Sequence, residues 1–178
     1  MKMLPRIALL LPLFILFLLT AAEKQSIPEI QDYPKWKPLQ EKIPVTPELF
    51  ALCRPPLKSL NPFVGHPGIS KDKSFSVSVY GNATAWKILS TGNFTNFPVG
   101  SVIVKQKLLD EKNSAPDSLG IMIKRSAVAQ AEGGWEFVFV DSGGKISRGP
   151  KELSNCYDCH SKTTGSDYVF GTYLKNYE

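Results

Sequence analysis

Val102-Ile103-Val104-Lys105-Gln106-Lys107-Leu108, Leu119-Gly120-Ile121-Met122-Ile123-Lys124-Arg125 and Trp135-Glu136-Phe137-Val138-Phe139-Val140 decide the fold. Each run is short, rich in β-branched or aromatic residues and bounded by turn-forming residues, the pattern of strands. Asn113 to Ser118 separates the first two, and Gly133-Gly134 introduces the third. Asp141-Ser142-Gly143-Gly144 then reads as a hairpin turn into a short strand at Lys145-Ile146. Upstream, Ser74 to Tyr80 alternates polar and apolar, with Phe75, Val77 and Val79 on one face of a half-buried strand. Short loops between successive strands favour antiparallel pairing.

Helices are few. Asn82 caps a short one through Leu89, and Thr46-Pro47-Glu48 starts another, with a capping hydroxyl, a first-turn proline and an acid. Leu49, Phe50, Leu52 and Cys53 give that helix its apolar face, and Pro55-Pro56 ends it. The expected class is α+β: an antiparallel sheet with a few packing helices.

The 178 residues suit one domain plus a tail. With 43% hydrophobic and 21% charged residues the chain can bury a core and is not a disordered polyelectrolyte. No internal repeat of solenoid length is present, and three cysteines are too few for a disulfide-stapled miniprotein. Residues 1–22 have the layout of a secretory signal: Lys2 and Arg6, an apolar run from Ile7 to Leu19, then Thr20-Ala21-Ala22. That run is short for a membrane span. Its removal takes two of the 21 basic and none of the 16 acidic residues, so the remaining chain is only mildly basic. The basic residues are scattered, which excludes a nucleic-acid footprint. The expected location is the periplasm or another exported, oxidising compartment. Residues 23–45 form a proline-rich segment, read as an extended stretch on the domain surface with Tyr33 and Trp36 as anchors. Residues 46–178 form the main domain.

The chemistry lies at Cys156-Tyr157-Asp158-Cys159-His160, a C-x-x-C-H sequence of the type that attaches c-type haem. Two thiols three residues apart lie about one helical turn apart, which suits thioether bonds to the two vinyl groups of a porphyrin. His160 then supplies the axial nitrogen to iron. Pro150, followed by Lys151 to Leu153, leads into that turn. Two other readings compete. A thioredoxin-like redox pair needs a βαβ setting. A structural zinc site needs four ligands, so Cys53 or His66 would have to join from far away. His66 and Met122 are also weighed as second iron ligands, against a surface loop and a core position. Cys53 reads as a buried thiol. Asn82-Ala83-Thr84 and Asn93-Phe94-Thr95 match the glycan-acceptor pattern.

Around this motif, Phe97-Pro98-Val99-Gly100-Ser101-Val102-Ile103-Val104-Lys105, Leu119 to Arg125, Gly134-Trp135-Glu136-Phe137 and Asp167-Tyr168-Val169-Phe170 resemble the cytochrome P-460 domain family in order and spacing. The resemblance runs from about Thr46 to Tyr173. It implies an exported monohaem protein on an antiparallel sheet, often a homodimer, with haem c held by Cys156, Cys159 and His160, one per chain. It implies an open sixth iron position for a small nitrogenous molecule or gas. In enzymatic members a lysine is cross-linked to the porphyrin, and the lysine closing the Val-Ile-Val-Lys pattern is Lys105, with Lys107 as alternate. Those members oxidise hydroxylamine and pass electrons to an external acceptor protein. Such chemistry needs a proton acceptor, for which Glu136 is the candidate, with Glu132 and Asp141 beside it in sequence. The related cytochromes c′-beta instead bind nitric oxide or a similar gas against a dry wall, for which Phe75, Phe97, Phe137 and Phe139 are available.

Overall fold

A computed structural model of the chain describes residues 26–45, 75–109, 115–126 and 131–171. The signal-like segment, the helix expected from Thr46, Cys53 and His66 lie outside the described residues. Six strands form one sheet in chain order: β1 (Pro38–Val45), β2 (Phe75–Gly81), β3 (Val102–Leu108), β4 (Ser118–Lys124), β5 (Trp135–Val140) and β6 (Ile146–Arg148). Every neighbouring pair is antiparallel. The helices are short: α1 (Ala83–Leu89), α2 (Gly149–Glu152) and α3 (Ser154–His160), with 3-10 turns at Pro28–Ile30, Tyr33–Lys35, Ala131–Gly134 and Ser161–Ser166. The fold is α+β with an antiparallel sheet, as the strand pattern requires. Among the described residues no helix is long and apolar enough to cross a membrane.

Strand alternation divides the core in two. Ile103, Met122, Trp135, Phe137 and Phe139 share one buried cluster with Ala85 and Leu89 of α1, Phe94 and Phe97 of the following loop, and Leu153, Cys156 and Val169 near the C-terminus. Val102, Val104, Leu119, Ile121, Ile123 and Val138 point the other way and are covered by Ile27, Ile30 and Tyr33 of the N-terminal turns. The central strands are therefore buried on both faces, which explains their near-continuous apolar runs.

Asn82 does more than cap α1. Its Oδ1 accepts from Ala85 N at 2.9 Å and from Val102 N at 3.1 Å, while Nδ2 donates to Gly100 O at 2.8 Å. One side chain thus ties the helix start to the entry of β3.

The proline-rich segment contributes a strand. Pro38 and Pro44 lie in β1, which among the described residues pairs only with β2, and an edge strand tolerates residues that cannot donate to a ladder. Pro28 and Pro34 open the two 3-10 turns. Tyr33 acts as the expected anchor, edge-on to Tyr80 at 5.5 Å between ring centroids.

Strand β2 differs from the half-buried reading. Ser76 and Ser78, on its polar side, are as buried as Val77. The register of β1 slips between Gln40 and Ile43, and Lys42 takes a left-handed φ of 50°. Its amide then donates to Ser78 Oγ at 2.9 Å. A buried hydroxyl takes up a main-chain donor that the irregular ladder leaves over.

The turn after β5 forms as expected. Asp141 Oδ1 accepts from Gly143 N and Lys145 N, both at 2.9 Å. The last strand begins one residue later than the sequence suggests, because Lys145 closes the turn by accepting from Asp141 N at 3.1 Å.

Candidate haem-binding site

The C-x-x-C-H sequence occupies α3. Gly149, with φ of 74°, turns the chain out of β6, and Pro150 starts α2 within its first turn. Leu153, wholly buried, breaks the helix with φ of −122° and ψ of 32° and pins the start of α3 to the core. Burial of such a side chain contributes about 2 kcal/mol. Cys156 and Cys159 stand one turn apart, and His160 lies four residues beyond Cys156, so helical spacing groups all three. Cys156 is buried in the first core cluster, and Cys159 and His160 are half-buried.

The imidazole of His160 is clamped. Phe137 lies 4.7 Å from it and Phe170 5.0 Å, measured between ring centroids, and Tyr157 packs edge-on to Phe137 at 4.7 Å. Its Nδ1 is 2.6 Å from the carbonyl oxygen of Tyr168. A carbonyl can only accept, so Nδ1 carries the proton and Nε2 presents its lone pair. A metal-binding histidine is oriented in this way: one ring nitrogen donates to a fixed acceptor and the other is left to the metal.

A braced loop delivers the Tyr168 carbonyl. Thr163 Oγ1 donates to His160 O at 3.0 Å, Tyr168 N donates to Thr163 O at 2.9 Å, and Ser166 Oγ donates to Val169 O at 2.7 Å. Asp167 and Tyr168 both have left-handed backbone, with φ of 48° and 64°. For residues other than glycine this costs on the order of 1–2 kcal/mol each, so the surroundings must hold the turn.

Two features outside the helix do so. Gly133, at φ of 64°, leaves room for the Tyr168 ring, which a β-carbon there would meet at 2.5 Å. The Lys124 ammonium lies 2.7 and 2.8 Å from the two carboxylate oxygens of Asp167, with both side chains largely buried. Lys124 also stacks over Trp135 at 5.1 Å from the ring centroid. Strand alternation holds the signal for Lys124, which shares the apolar face of β4 with Met122. The roles of Asp167, Tyr168 and Phe170 come from the folded loop, and no periodicity marks them.

The other sequence-derived candidates fall as follows. Lys105 and Lys107 lie on the sheet face that carries Ile103 and packs against α3, with Lys105 half-buried and Lys107 wholly buried. Lys105 faces Val79 and Gly120 across the ladder, Lys107 faces Val77 and Ser118. Glycine at 120 leaves the Lys105 Cβ about 4.0 Å from where a Cβ at 120 would stand.

Glu136 lies on the opposite face. Its neighbours Trp135 and Phe137 point into the α3 side, so Glu136 points away, where it accepts from Arg125 Nε at 2.7 Å and Arg148 Nη1 at 3.0 Å. It is a structural ion-pair residue and is not brought to the haem motif. Asp141 is engaged in its turn, and the Glu132 side chain lies outside the described residues. Of the four aromatic residues considered for a gas-binding wall, Phe137 packs on the His160 imidazole itself. Phe97 is core, against Phe94 and Trp135, and Phe139 is buried in the same cluster. The Phe75 side chain lies outside the described residues. Met122 is a core residue at 8% exposure, opposite Phe137 in the ladder.

The thioredoxin-like reading fits less well. A meander of antiparallel strands contains no βαβ unit to carry a thioredoxin-like pair, and the first cysteine is buried where a reactive one is partly exposed. Cys53 and His66, weighed as the fourth ligand of a zinc site, lie outside the described residues. The donor set of α3, two thiols one turn apart and one imidazole with its Nε2 presented, suits a haem.

A family model for Cytochrome P460 matches residues 60–171. The chain belongs to this family. No curated protein matches it beyond chance. Membership implies a haem cofactor and a cytochrome's iron chemistry. In this P460 cytochrome the resemblance noted from Phe97 to Phe170 thus coincides with the sheet, α3 and the loop that closes on His160.

Proposed function

We propose that this P460-family cytochrome is an exported monohaem protein. Its haem is bonded covalently through Cys156 and Cys159, and His160 Nε2 is its axial ligand. It acts as an oxidoreductase on hydroxylamine or a related small nitrogen compound. The observation that carries the reading is the 2.6 Å contact from His160 Nδ1 to the Tyr168 carbonyl, at the end of a helix bearing both thiols. When bound, the haem supplies an iron centre with one open position for a small molecule and a route for electrons.

The residues do the rest. Leu153 and Cys156 anchor the helix in the core, Phe137 and Phe170 keep the imidazole from rotating, and the Tyr168 carbonyl holds its proton on Nδ1. Lys105, on the same face of the sheet as the cluster that packs on α3, is the candidate for a cross-link to the porphyrin. Electrons released by substrate oxidation pass to an external acceptor protein, and the chain acts as a homodimer in keeping with its family.

One observation favours a second reading. Glu136 is committed to Arg125 and Arg148 on the far face, so the one acid singled out as a proton acceptor is not available. With Glu136 turned to the far face, binding of nitric oxide or another neutral gas without turnover is the second reading.

Oxidised and reduced optical spectra of the chain, made with a c-type maturation system, separate the two. The enzymatic reading predicts a strongly red-shifted reduced Soret band that reverts to the ordinary c-type position in Lys105→Ala, and hydroxylamine-dependent reduction of an added acceptor that Lys105→Ala loses. An ordinary c-type spectrum in the wild type with no such turnover would favour the gas-binding reading.

A further inference from the structure

Lys124 closes β4 on the face that packs against the haem helix, and only 5% of it is exposed. Its ammonium meets both oxygens of Asp167, at 2.7 and 2.8 Å. The Asp167 carboxylate also accepts the amide of Phe97 at 2.7 Å, and its main-chain carbonyl accepts from Trp135 Nε1 at 2.8 Å. Three elements thus converge on one residue of the C-terminal loop: β4, β5 and the loop before β3. The next residue, Tyr168, supplies the acceptor for His160 Nδ1.

A buried ion pair is an uncertain source of stability, because an apolar pair of similar volume often serves as well. Its use is more readily found in what it fixes. Here it holds two successive left-handed residues, the second of which aims its carbonyl at the imidazole.

We propose that the Lys124–Asp167 pair is a positioning device for the axial ligand: it holds the Tyr168 carbonyl on His160 Nδ1 and so sets how strongly the imidazole donates to iron. The inference rests on His160 being the haem ligand. A firm acceptor on Nδ1 gives the imidazole more anionic character, strengthens its bond to iron and favours the ferric state. Loosening the acceptor does the opposite.

The test uses the full chain loaded with haem, with covalent haem content measured for every variant. Asp167→Asn keeps the side chain's shape and an acceptor for the Phe97 amide but removes the charge partner of Lys124. Its ferrous form should show the iron–imidazole stretching band, read by resonance Raman, at lower frequency than wild type, and its reduction potential should rise. Lys124→Arg, which keeps the pair, should stay close to wild type on both readouts. Trp135→Phe, which loses the bond to the Asp167 carbonyl and shrinks the ring packed on Lys124 and Phe97, should shift both in the same direction by less, and carries the test alone if Asp167→Asn does not fold. Arg125→Gln, on the other face of the sheet, should move neither. Wild-type frequency and potential in haem-loaded Asp167→Asn, or in Trp135→Phe where that variant stands alone, overturn the inference, as does an equal shift in Arg125→Gln. A wild-type chain that takes up no covalent haem overturns the haem reading itself, and the inference with it.

Discussion

His160 shows how much one residue can say and where it stops. The spacing Cys156-x-x-Cys159-His160 is chemistry written in three residues, and it survives any choice of fold. The partner of Nδ1 is not written there. It is a main-chain carbonyl, so no side chain advertises it, and it reaches the ring only because Asp167 and Tyr168 fold in a left-handed turn. Gly133 belongs to the same arrangement. Its φ of 64° and its closeness to the Tyr168 ring leave no room for a side chain. Gly133→Ala should destabilise the protein by about 1–3 kcal/mol, through backbone strain and displacement of the ring. Urea unfolding measures this, and an unchanged midpoint would show that the turn tolerates the methyl group.

Elements carry the next layer. The strand pattern of β3, β4 and β5 is legible because their apolar runs are continuous and their bounding turns are explicit. Strand β1 is not legible in that way: Pro38 and Pro44 argue against a central strand, and its pairing with β2 joins residues 30 to 42 positions apart. Glu136 was within reach of the alternation rule, since Trp135 and Phe137 flank it, but which face meets α3 is settled only by the fold. What Glu136 does instead is bind the N-terminal turns to the sheet. Arg125 contacts both Glu136 and Glu29, at 2.7 and 2.6 Å, and Arg148 adds a second cation to Glu136. Burial pushes the Glu29 carboxyl up, but its own backbone hydrogen bond and the Arg125 guanidinium outweigh this and hold it below the ordinary 4.5. A carboxyl lowered by folding adds stability that is present above 4.5 and fades as pH falls through the lower, folded value. Glu29→Gln should therefore weaken the fold at neutral pH, by no more than about 1 kcal/mol for so exposed a pair, and converge with wild type in acid. Chemical unfolding at both pH values measures it; a deficit that grows in acid would contradict the sign.

At the scale of the molecule, one sheet serves two purposes. One face is closed by the N-terminal turns through Tyr33 and the Arg125 network; the other receives α3, the loop from Ser161 to Phe170, and the aromatic residues that grip His160. This division is why the C-x-x-C-H helix can sit on a β-fold at all: a seven-residue helix is too short to stand alone, and the sheet supplies its core. We propose that Cys156 and Cys159 bond a haem that His160 ligates. Acid–solvent extraction followed by intact mass measurement tests it most directly, on protein made with a c-type maturation system. The wild type and His160→Ala should keep the mass of one haem after extraction, while Cys156→Ala combined with Cys159→Ala should keep none. Haem retained by the double cysteine variant, or absent from the wild type, would contradict it.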